Sequence, residues 1–527
     1  MLTAIIFTPV VFALLICSLK GERAIRITAM TGAVLDFVLS LVMLSSFHPH
    51  EYGLQFVEKV PWVRTVGIDY FLAIDGISLW LVMLTTLLTP LTILASWKSI
   101  GEKVKGFYVA ILFLETAMLG SFLAFDAILF YVFFEASLIP MYFIVGIWGG
   151  ERRIYATTKF FIYTMVGSVF MLLAIIALMY MTQQLPAGHM TSNILEFYRL
   201  KLPFIAGDFF NTQTLLFFAF AFAFAIKVPL FPFHTWLPDA HVQAPTPGSV
   251  ILAGVMLKMG TYGYLRFALP IFPEASAYWS WLFLFLGVVG IIYGAMVAMV
   301  QPDIKKLVAY SSVSHMGYVI IGLFALNSLG ITGGLYQMLN HGISTGALFL
   351  LVGMIYERTH SREISKYGGL ATVAPLYTII FILVTLSSIA VPLTNGFVGE
   401  FMILLGTFKA HKPYAIFAVS GVVLGATYML WLVQRVFFGK MGEIVEHYKD
   451  KGLDINLREF CVLAPLVVLI FWMGVFPQTF LNYSKASIDH LVTHRVEYFL
   501  PLPSDQKGES LNGQYKVPEK KKDSGVE

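Results

Sequence analysis

The sequence is dominated by long apolar runs, each about as long as a helix that crosses a lipid bilayer. A spanning helix needs about 20 mostly apolar residues, and by this measure the chain has about fourteen candidate spans. This pattern predicts an all-α, polytopic membrane protein. The first run has no small-residue cleavage site and leads into a second span, so we expect a retained helix rather than a signal peptide. The candidate spans are 2–19, 27–46, 76–96, 107–124, 127–147, 157–182, 213–233, 248–270, 277–299, 307–326, 330–356, 372–408, 414–438 and 459–482.

The composition excludes several other classes of protein. Of 527 residues, 58% are hydrophobic and only 13% are charged, whereas a soluble protein has about 25% charged residues. A soluble enzyme, a disordered protein and a disulfide scaffold are therefore excluded, and a net charge of +4 does not indicate nucleic-acid binding. Cys17 and Cys461 lie far apart, while an iron–sulfur or zinc site needs about four clustered ligands. We expect no cofactor or metal in this chain.

Lysine and arginine collect in alternate loops, and this asymmetry predicts the orientation in the membrane. Cytoplasmic loops carry an excess of basic residues. Six of the seven loops after odd-numbered spans are basic, while those after even-numbered spans are neutral or mixed, apart from Lys409 and Lys412. We therefore expect the odd loops in the cytoplasm and both termini outside. The basic residues of the odd loops are Lys20, Arg23, Arg26, Lys98, Lys103, Lys105, Arg152, Arg153, Lys305, Lys306, Arg358, Arg362, Lys366, Arg435, Lys440, Lys449 and Lys451.

Six of the ionisable residues within predicted spans form a series, although a charge at mid-bilayer costs about 2.5–3.5 kcal/mol on insertion scales. They recur once per span, on spans 5, 7, 8, 10, 11 and 12. Acids, bases and imidazoles on successive spans suit a lateral proton relay, in which each member accepts and releases a proton. The alternative is a set of structural ion pairs or snorkelling side chains. The six residues are Glu135, Lys227, Lys258, His315, His341 and Glu400.

Two of these residues adjoin predicted helix breaks. Pro229 and Pro232 follow Lys227, and Pro392 precedes Glu400; a proline removes a helical hydrogen bond and bends the segment. Broken helices at membrane depth are tolerated where they line a protein cavity or water. Breaks at corresponding places in two halves indicate inverted repeats with an ion path between them.

The chain is therefore predicted to consist of five units. They are helices 1–3 (1–106), a first repeat of helices 4–8 (107–270), a second repeat of helices 9–13 (277–438), an amphipathic segment with helix 14 (439–485) and a polar tail (486–527).

The segment between spans 7 and 8 contains candidates for proton uptake from the cytoplasm. His234, Asp239 and His241 lie in the polar stretch HTWLPDAHVQAPTPGS. His234 follows Lys227 by seven residues, which is the same face of a helix if the helix continues through the prolines. A metal site is the less favoured interpretation because no third or fourth ligand is in view.

Three further polar features have weaker implications. Asp36 is a lone acid on span 2 without a polar neighbour in sequence, and we expect a structural role for it. On span 11, Gln337, His341 and Thr345 recur at every fourth residue and form a polar stripe suited to holding water. Residues 440–458 alternate charged and apolar side chains, which fits either an amphipathic surface helix or a solvated loop.

Four segments resemble the antiporter-like membrane subunits of respiratory complex I, the proton-translocating NADH:quinone oxidoreductase. They are FFEASLIPMYFIVGIWGG, AFAIKVPLFPFHTWLPDAHVQAPTPGSVILAGVMLKMGTYG, KKLVAYSSVSHMGYV and NGFVGEFMIL, and the resemblance extends to about residue 485. It is greatest to the M-type branch, because Glu400 stands where the other two antiporter-like chains typically have lysine, and because a long C-terminal lateral helix is missing.

The resemblance implies a fold and a set of residue roles. The family fold has fourteen helices with two inverted five-helix repeats. By resemblance, Glu135 pairs with Lys227, Lys258 links the relay to the second half, the two span histidines continue the central axis, and Glu400 delivers protons to the outside. The family's flavin, iron–sulfur clusters and quinone are implied to belong to partner subunits, among them neighbouring antiporter-like chains in a bacterial inner membrane.

Two other functions remain open at this point. A subunit of an Mrp-type cation/proton antiporter or of a membrane-bound hydrogenase would share these motifs. An inactive membrane scaffold would tolerate replacement of its buried charges as matched pairs. Copurifying chains distinguish the first alternative, and mutagenesis distinguishes the second.

Overall fold

The computed structural model describes residues 1–186 and 188–493, so most of the predicted tail 486–527 lies outside the described residues. The protein is mostly helical, with 76% of its residues in helices. Within the described part, 9 helices are long and apolar enough to cross a membrane, and shorter apolar helices accompany them. The expectation of a helical membrane protein is therefore confirmed.

The helices lie close to the predicted spans, and their ends are as follows. The first half contains α1 (Leu2–Ser18), α2 (Glu22–Ser45), α3 (Leu79–Ala95), α4 (Val104–Leu123), α5 (Ala127–Ala136), α6 (Leu138–Trp148), α7 (Arg153–Met181), α8 (Ile194–Phe197), α9 (Thr212–Lys227), α10 (Trp236–Gln243), α11 (Thr246–Ile251), α12 (Leu257–Gly263) and α13 (Leu269–Ile271). The second half contains α14 (Pro273–Tyr278), α15 (Ser280–Met299), α16 (Ile304–Phe324), α17 (Ser328–Thr359), α18 (Pro375–Ser388), α19 (Asn395–Ala410), α20 (Lys412–Phe437), α21 (Glu443–Tyr448), α22 (Leu457–Val475) and α23 (Gln478–Leu491).

A two-stranded antiparallel hairpin, which the all-α prediction missed, lies between α2 and α3. Its strands are β1 (Gln55–Val63) and β2 (Ile68–Ile74). Gly67 follows the first strand at a φ of +66°, and a Cβ there would lie 1.9 Å from the Met190 carbonyl oxygen, so only glycine fits. Apolar run length does not predict this hairpin, because its strands are short and of mixed polarity.

Both predicted helix breaks are present. The helix before the first break, α9, ends at Lys227, and α10 begins at Trp236. The second break separates α18, which ends at Ser388, from α19, which begins at Asn395. The expected placement of His234 on the same helical face as Lys227 is wrong, because the helix ends at the lysine and the prolines that follow prevent its continuation.

The predicted span 248–270 is a helix of mixed geometry. Between α11 and α12, residues Leu252–Met256 form a π-helical segment, and residues Tyr264–Ala268 form a second one between α12 and α13. A π-helical segment has wider turns than an α-helix and occurs frequently at functional sites. The Lys258 ammonium donates a hydrogen bond to the carbonyl of Ala253, five residues earlier in this helix.

A buried ion pair holds the hairpin side of the fold to this same helix. Both carboxylate oxygens of Asp75 lie 2.7 Å from the Arg266 guanidinium, and both residues are buried. The carboxylate also accepts hydrogen bonds from the backbone amides of Ile77 and Ser78 just before α3. The pair therefore fixes the start of α3 against the end of the π-helical span.

The C-terminal part differs in detail from the predicted boundaries. The segment 440–458 contains the short helix α21, whose Ile444 and Val445 are buried, so this part is amphipathic rather than a fully solvated loop. The predicted span 459–482 is divided into α22 and α23. Because α23 runs to Leu491, helical structure crosses the expected tail boundary at residue 485.

Candidate functional site

Lys258 and His341 are in direct contact in the interior of the protein. The Lys258 Nζ lies 2.7 Å from the His341 Nδ1. Lys258 is fully buried, and His341 is buried on α17. The two residues belong to the two predicted repeats, so this contact joins the first half of the candidate relay to the second.

Two glycines allow this close approach. Gly254 lies one turn before Lys258, and Gly342 directly follows His341. A Cβ at Gly342 would lie 2.9 Å from the Gly254 carbonyl oxygen and 2.6 Å from a methyl carbon of Leu84. Small residues at helix crossings in membranes permit backbones to approach closely. The glycine pair therefore sets the distance between the lysine and the imidazole.

The line of titratable groups continues through His315 to Glu400. The rings of His341 and His315 have centroids 6.0 Å apart. The His315 Nδ1 lies 3.2 Å from the Glu400 Oε1, and its Nε2 lies 3.4 Å from the hydroxyl of Ser388. Which ring nitrogen carries the proton depends on the tautomer. A proton held at His315 therefore has the Glu400 carboxylate on one side and the Ser388 hydroxyl on the other, whereas the His341 Nε2 has no hydrogen-bond partner among the described residues.

The Glu400 carboxyl is held by the polar face of α17. Gln337 Nε2 donates a hydrogen bond to Glu400 Oε1 at 3.1 Å, and Asn340 Nδ2 donates to the Gln337 Oε1 at 2.9 Å. A Cβ at Gly399 would lie 2.4 Å from the Gln337 Oε1. The glycine before the glutamate therefore lets α19 approach these amide side chains.

A small polar cavity adjoins the two histidines. Its volume of about 10 Å³ is about the size needed for one water molecule, and it has enough polar groups to bind one. The stripe predicted on span 11 lines it, together with groups from both sides of the second helix break. The lining residues are His315, Gln337, Asn340, His341, Ser344, Thr345, Ser387, Ser388 and Gly396.

Lys227 and Glu135 lie near each other without an ion-pair contact. Lys227 is buried, its Nζ donates to the Ser137 hydroxyl at 3.4 Å and lies 4.8 Å from the centre of the Phe134 ring. Glu135 is half-buried, and its Oε1 has no hydrogen-bond partner in the described structure. The two charges interact electrostatically over a longer distance than a salt bridge spans.

The three candidates for proton uptake have different surroundings. Asp239 forms an ion pair with Lys159, with Oδ2 and Nζ 2.7 Å apart. His234 packs its ring 5.5 Å from that of Phe231. His241 is fully buried, and within the described residues neither ring nitrogen has a hydrogen-bond partner. The structure therefore does not bring the three together as one hydrogen-bonded group.

A cavity of about 200 Å³ near His241 contains a lysine that the sequence analysis placed in a loop. Lys305 lies in the first turn of α16, is buried, and donates to the Ala244 carbonyl at 2.5 Å. It interacts electrostatically with His241, as does Lys258. Arg362 also lines the cavity. Lys305 was missed because its surroundings come from residues far away in sequence, among them Ala244 and Arg362.

A second group that the sequence analysis missed is Glu115 on α4. It is fully buried and interacts with Asp36 on α2, so Asp36 is not a lone acid. The signal was present in the sequence, since Glu115 interrupts the apolar run LFLETAML in the middle of a predicted span.

Comparison with known proteins gives one consistent answer. The family described as NADH:quinone oxidoreductase/Mrp antiporter matches residues 124–425, and the one described as NADH-ubiquinone oxidoreductase chain 4, amino terminus, matches residues 1–123. NADH-quinone oxidoreductase subunit M of Rhodobacter capsulatus is 48% identical over 474 residues, which cover 90% of this chain and 91% of that protein.

Solved structures share the fold. A chain of respiratory complex I from Thermus thermophilus with bound NADH has a TM-score of 0.81 and 32% identity, covering 93% of this chain and 100% of that one. A chain of the Mrp complex from Dietzia sp. DQ12-45-1b has a TM-score of 0.78 at 20% identity, covering 95% and 99%, a likeness of fold alone. The chain belongs to the family of NADH-quinone oxidoreductase M subunits.

Proposed function

We propose that this chain is a proton-translocating membrane subunit of NADH:quinone oxidoreductase. The observation that carries the proposal is the series of neighbouring groups from Lys258 through His341 and His315 to Glu400, in which two direct contacts are joined by a 6.0 Å step between the imidazole rings. Each member binds and releases a proton, and each lies within reach of the next directly or through one water. With Lys227 and Glu135 at the other end, the series forms a relay across both halves of the chain.

The proposed membrane layout has fourteen spans. To the long apolar helices it adds the shorter helices α1, α3, α9 and α18, and the mixed helix 246–271. Helices 4–8 and 9–13 form inverted repeats in this layout, with a broken helix in each. The basic loops face the cytoplasm of a bacterial inner membrane, and both termini lie on the periplasmic side.

Protons enter the relay, on this proposal, from the side of the basic loops. His241 is buried between the Lys305 cavity and Lys258 and interacts electrostatically with both lysines. Its ring nitrogens, which have no hydrogen-bond partner among the described residues, are free to receive a proton from water in the cavity. His234 and Asp239, next to it in sequence, would serve the same intake.

Energy for pumping comes from redox chemistry in other subunits. NADH oxidation and quinone reduction need flavin, iron–sulfur clusters and a quinone, which we assign to partner subunits, and neighbouring antiporter-like chains would contact this one in the membrane. The coupling is conformational or electrostatic: moving a charge near Glu135 would tighten or loosen its interaction with Lys227. Proton affinity would change at both residues, because an opposite charge stabilises the ionised form of each.

A subunit of an Mrp-type antiporter or of a membrane-bound hydrogenase is the second candidate, because the fold is shared. The high identity to a subunit M over nearly the whole of both chains favours the oxidoreductase. Purification in mild detergent separates the two: NADH-oxidising and quinone-reducing chains should copurify with this one. Recovery of small antiporter subunits instead would favour the alternative.

The function is tested by neutralising the first pair of the relay. In inside-out membrane vesicles that oxidise NADH, Glu135→Gln and Lys227→Met should remove most of the acidification of the lumen per electron transferred. Glu151→Gln and Lys409→Met, which alter exposed residues, are matched controls and should leave it unchanged. A full proton-to-electron ratio in both relay variants would refute the proposal.

A further inference from the structure

Two buried acids lie together outside the relay, in the N-terminal helices. Asp36 on α2 and Glu115 on α4 are both fully buried. None of their four carboxyl oxygens has a hydrogen-bond partner in the described structure. Glu115 interacts electrostatically with Asp36, so the two carboxyls face one site.

The surrounding helices supply no positive charge to this site. Helices α1 and α3, which pack on α2 and α4, contain no acidic or basic residue. On the two helices themselves, Arg26 and Lys105 are each ten residues from the buried acid, which corresponds to about 15 Å of helix. Of the charged groups on other helices that contact α4, Lys258 is bound to the Ala253 carbonyl and the His341 imidazole, and Glu135 interacts with Lys227.

The lack of a nearby positive charge determines whether the two acids are protonated. Moving a carboxylate from water into the protein interior without a partner costs several kcal/mol. Two carboxyl groups that share one buried site therefore cannot both be ionised. We propose that Asp36 and Glu115 form a second proton-binding site, separate from the relay, in which the two carboxyls hold at least one proton between them. The ligand of this site is a proton rather than a metal cation.

Hydroxyl groups on α2 and α3 lie near the two acids. The hydroxyls of Ser40 and Thr86 lie 2.8 Å apart, one turn after Asp36. Thr89, three residues after Thr86, lies beside Glu115. These hydroxyls can donate to a carboxylate or accept from a carboxylic acid, so they can accommodate a change in the number of bound protons.

Dicyclohexylcarbodiimide tests the proposal, because this apolar reagent attacks protonated carboxyls. The acidic proton moves to a carbodiimide nitrogen, the carboxyl oxygen bonds to the central carbon, and transfer of the acyl group to nitrogen gives a stable N-acylurea without loss of atoms. Intact complex in membranes should yield this adduct on Asp36 or Glu115 by peptide mass spectrometry. The double variant D36N/E115Q should yield none in these helices, and the exposed Glu22 should stay unmodified.

Infrared difference spectroscopy gives a second measurement that does not depend on reagent access. The carbonyl band of a protonated carboxyl should be lost in D36N/E115Q relative to the unsubstituted complex. Loss of carboxylate bands alone would overturn the proposal. Suppression of the adduct by sodium but not by potassium, at constant pH, would also overturn it, because the site would then hold a metal cation. Both readouts are independent of proton pumping, so failure of the proposed relay would not affect them.

Discussion

The Nζ of Lys258 and the Nδ1 of His341 lie 2.7 Å apart, and this contact joins the two halves of the chain. The lysine is on a helix with π-helical segments, and the histidine is on the longest helix of the structure, α17. No spacing along the sequence relates the two residues, which are separated by 83 positions. Their contact makes two sets of buried ionisable residues into one candidate path.

Removing the lysine should interrupt this path. Lys258→Met keeps the length and apolar character of the stem but eliminates the group that contacts His341. We expect the complex to assemble and oxidise NADH while most of its proton pumping is lost, measured with a pH-sensitive dye in vesicles. Lys201→Met, at an exposed loop residue, is the control. Normal pumping by Lys258→Met would contradict the role of this contact.

Adding a methyl group where the helices cross at Gly254 and Gly342 should move Lys258 and His341 apart. In Gly342→Ala the new Cβ meets the Gly254 carbonyl oxygen at 2.9 Å and Leu84 at 2.6 Å. Overpacking of this kind costs about 1–3 kcal/mol, so both thermal stability and pumping should fall. The control is Gly425→Ala on α20, where no heavy atom lies within 4 Å. That variant should be neutral or gain up to about 1 kcal/mol from helix propensity. Equal stability of the two variants would argue against a tight crossing.

Breaking the buried ion pair between Arg266 and Asp75 should destabilise the protein. Removing one partner of a buried pair leaves an uncompensated charge and costs about 3–5 kcal/mol. Arg266→Gln or Asp75→Asn should therefore lower the melting temperature strongly, and the double variant should lose less than the sum of both. Arg199→Gln, from an exposed pair, should change stability by about 0–1 kcal/mol. Additive effects of the two buried substitutions would show that they do not act as a pair.

Replacing His241 by phenylalanine tests the proposed intake. The His241 ring stacks on Phe349 with centroids 4.6 Å apart, and since its nitrogens have no partner among the described residues, His241→Phe should keep the packing. We expect normal assembly with several-fold slower pumping at a given rate of NADH oxidation. His447→Phe, at an exposed site, should have no effect. Unchanged pumping by His241→Phe would place the intake elsewhere.

Much of this architecture could be predicted from local pattern. Apolar run length predicted the spans, and prolines beside Lys227 and Glu400 predicted where helices α9 and α18 would end. The hairpin of β1 and β2 could not be predicted in this way, because its stability comes from pairing and from packing on α5. The same limit applied to Lys305. Its local sequence predicts a loop residue, and its burial depends on residues far away in sequence, such as Ala244.

The amino-acid sequence by itself determined that this chain enters a membrane, which residues would be ionisable there, and where its helices break. These properties depend on residues close together along the chain, through apolar run length and through the missing amide hydrogen of proline. Only the tertiary structure decided that Lys258 meets His341, that Glu135 stays out of ion-pair contact with Lys227, and that Asp36 faces Glu115. Those relationships depend on how helices far apart in sequence cross, and small residues such as Gly254 and Gly342 set the distance of the crossing.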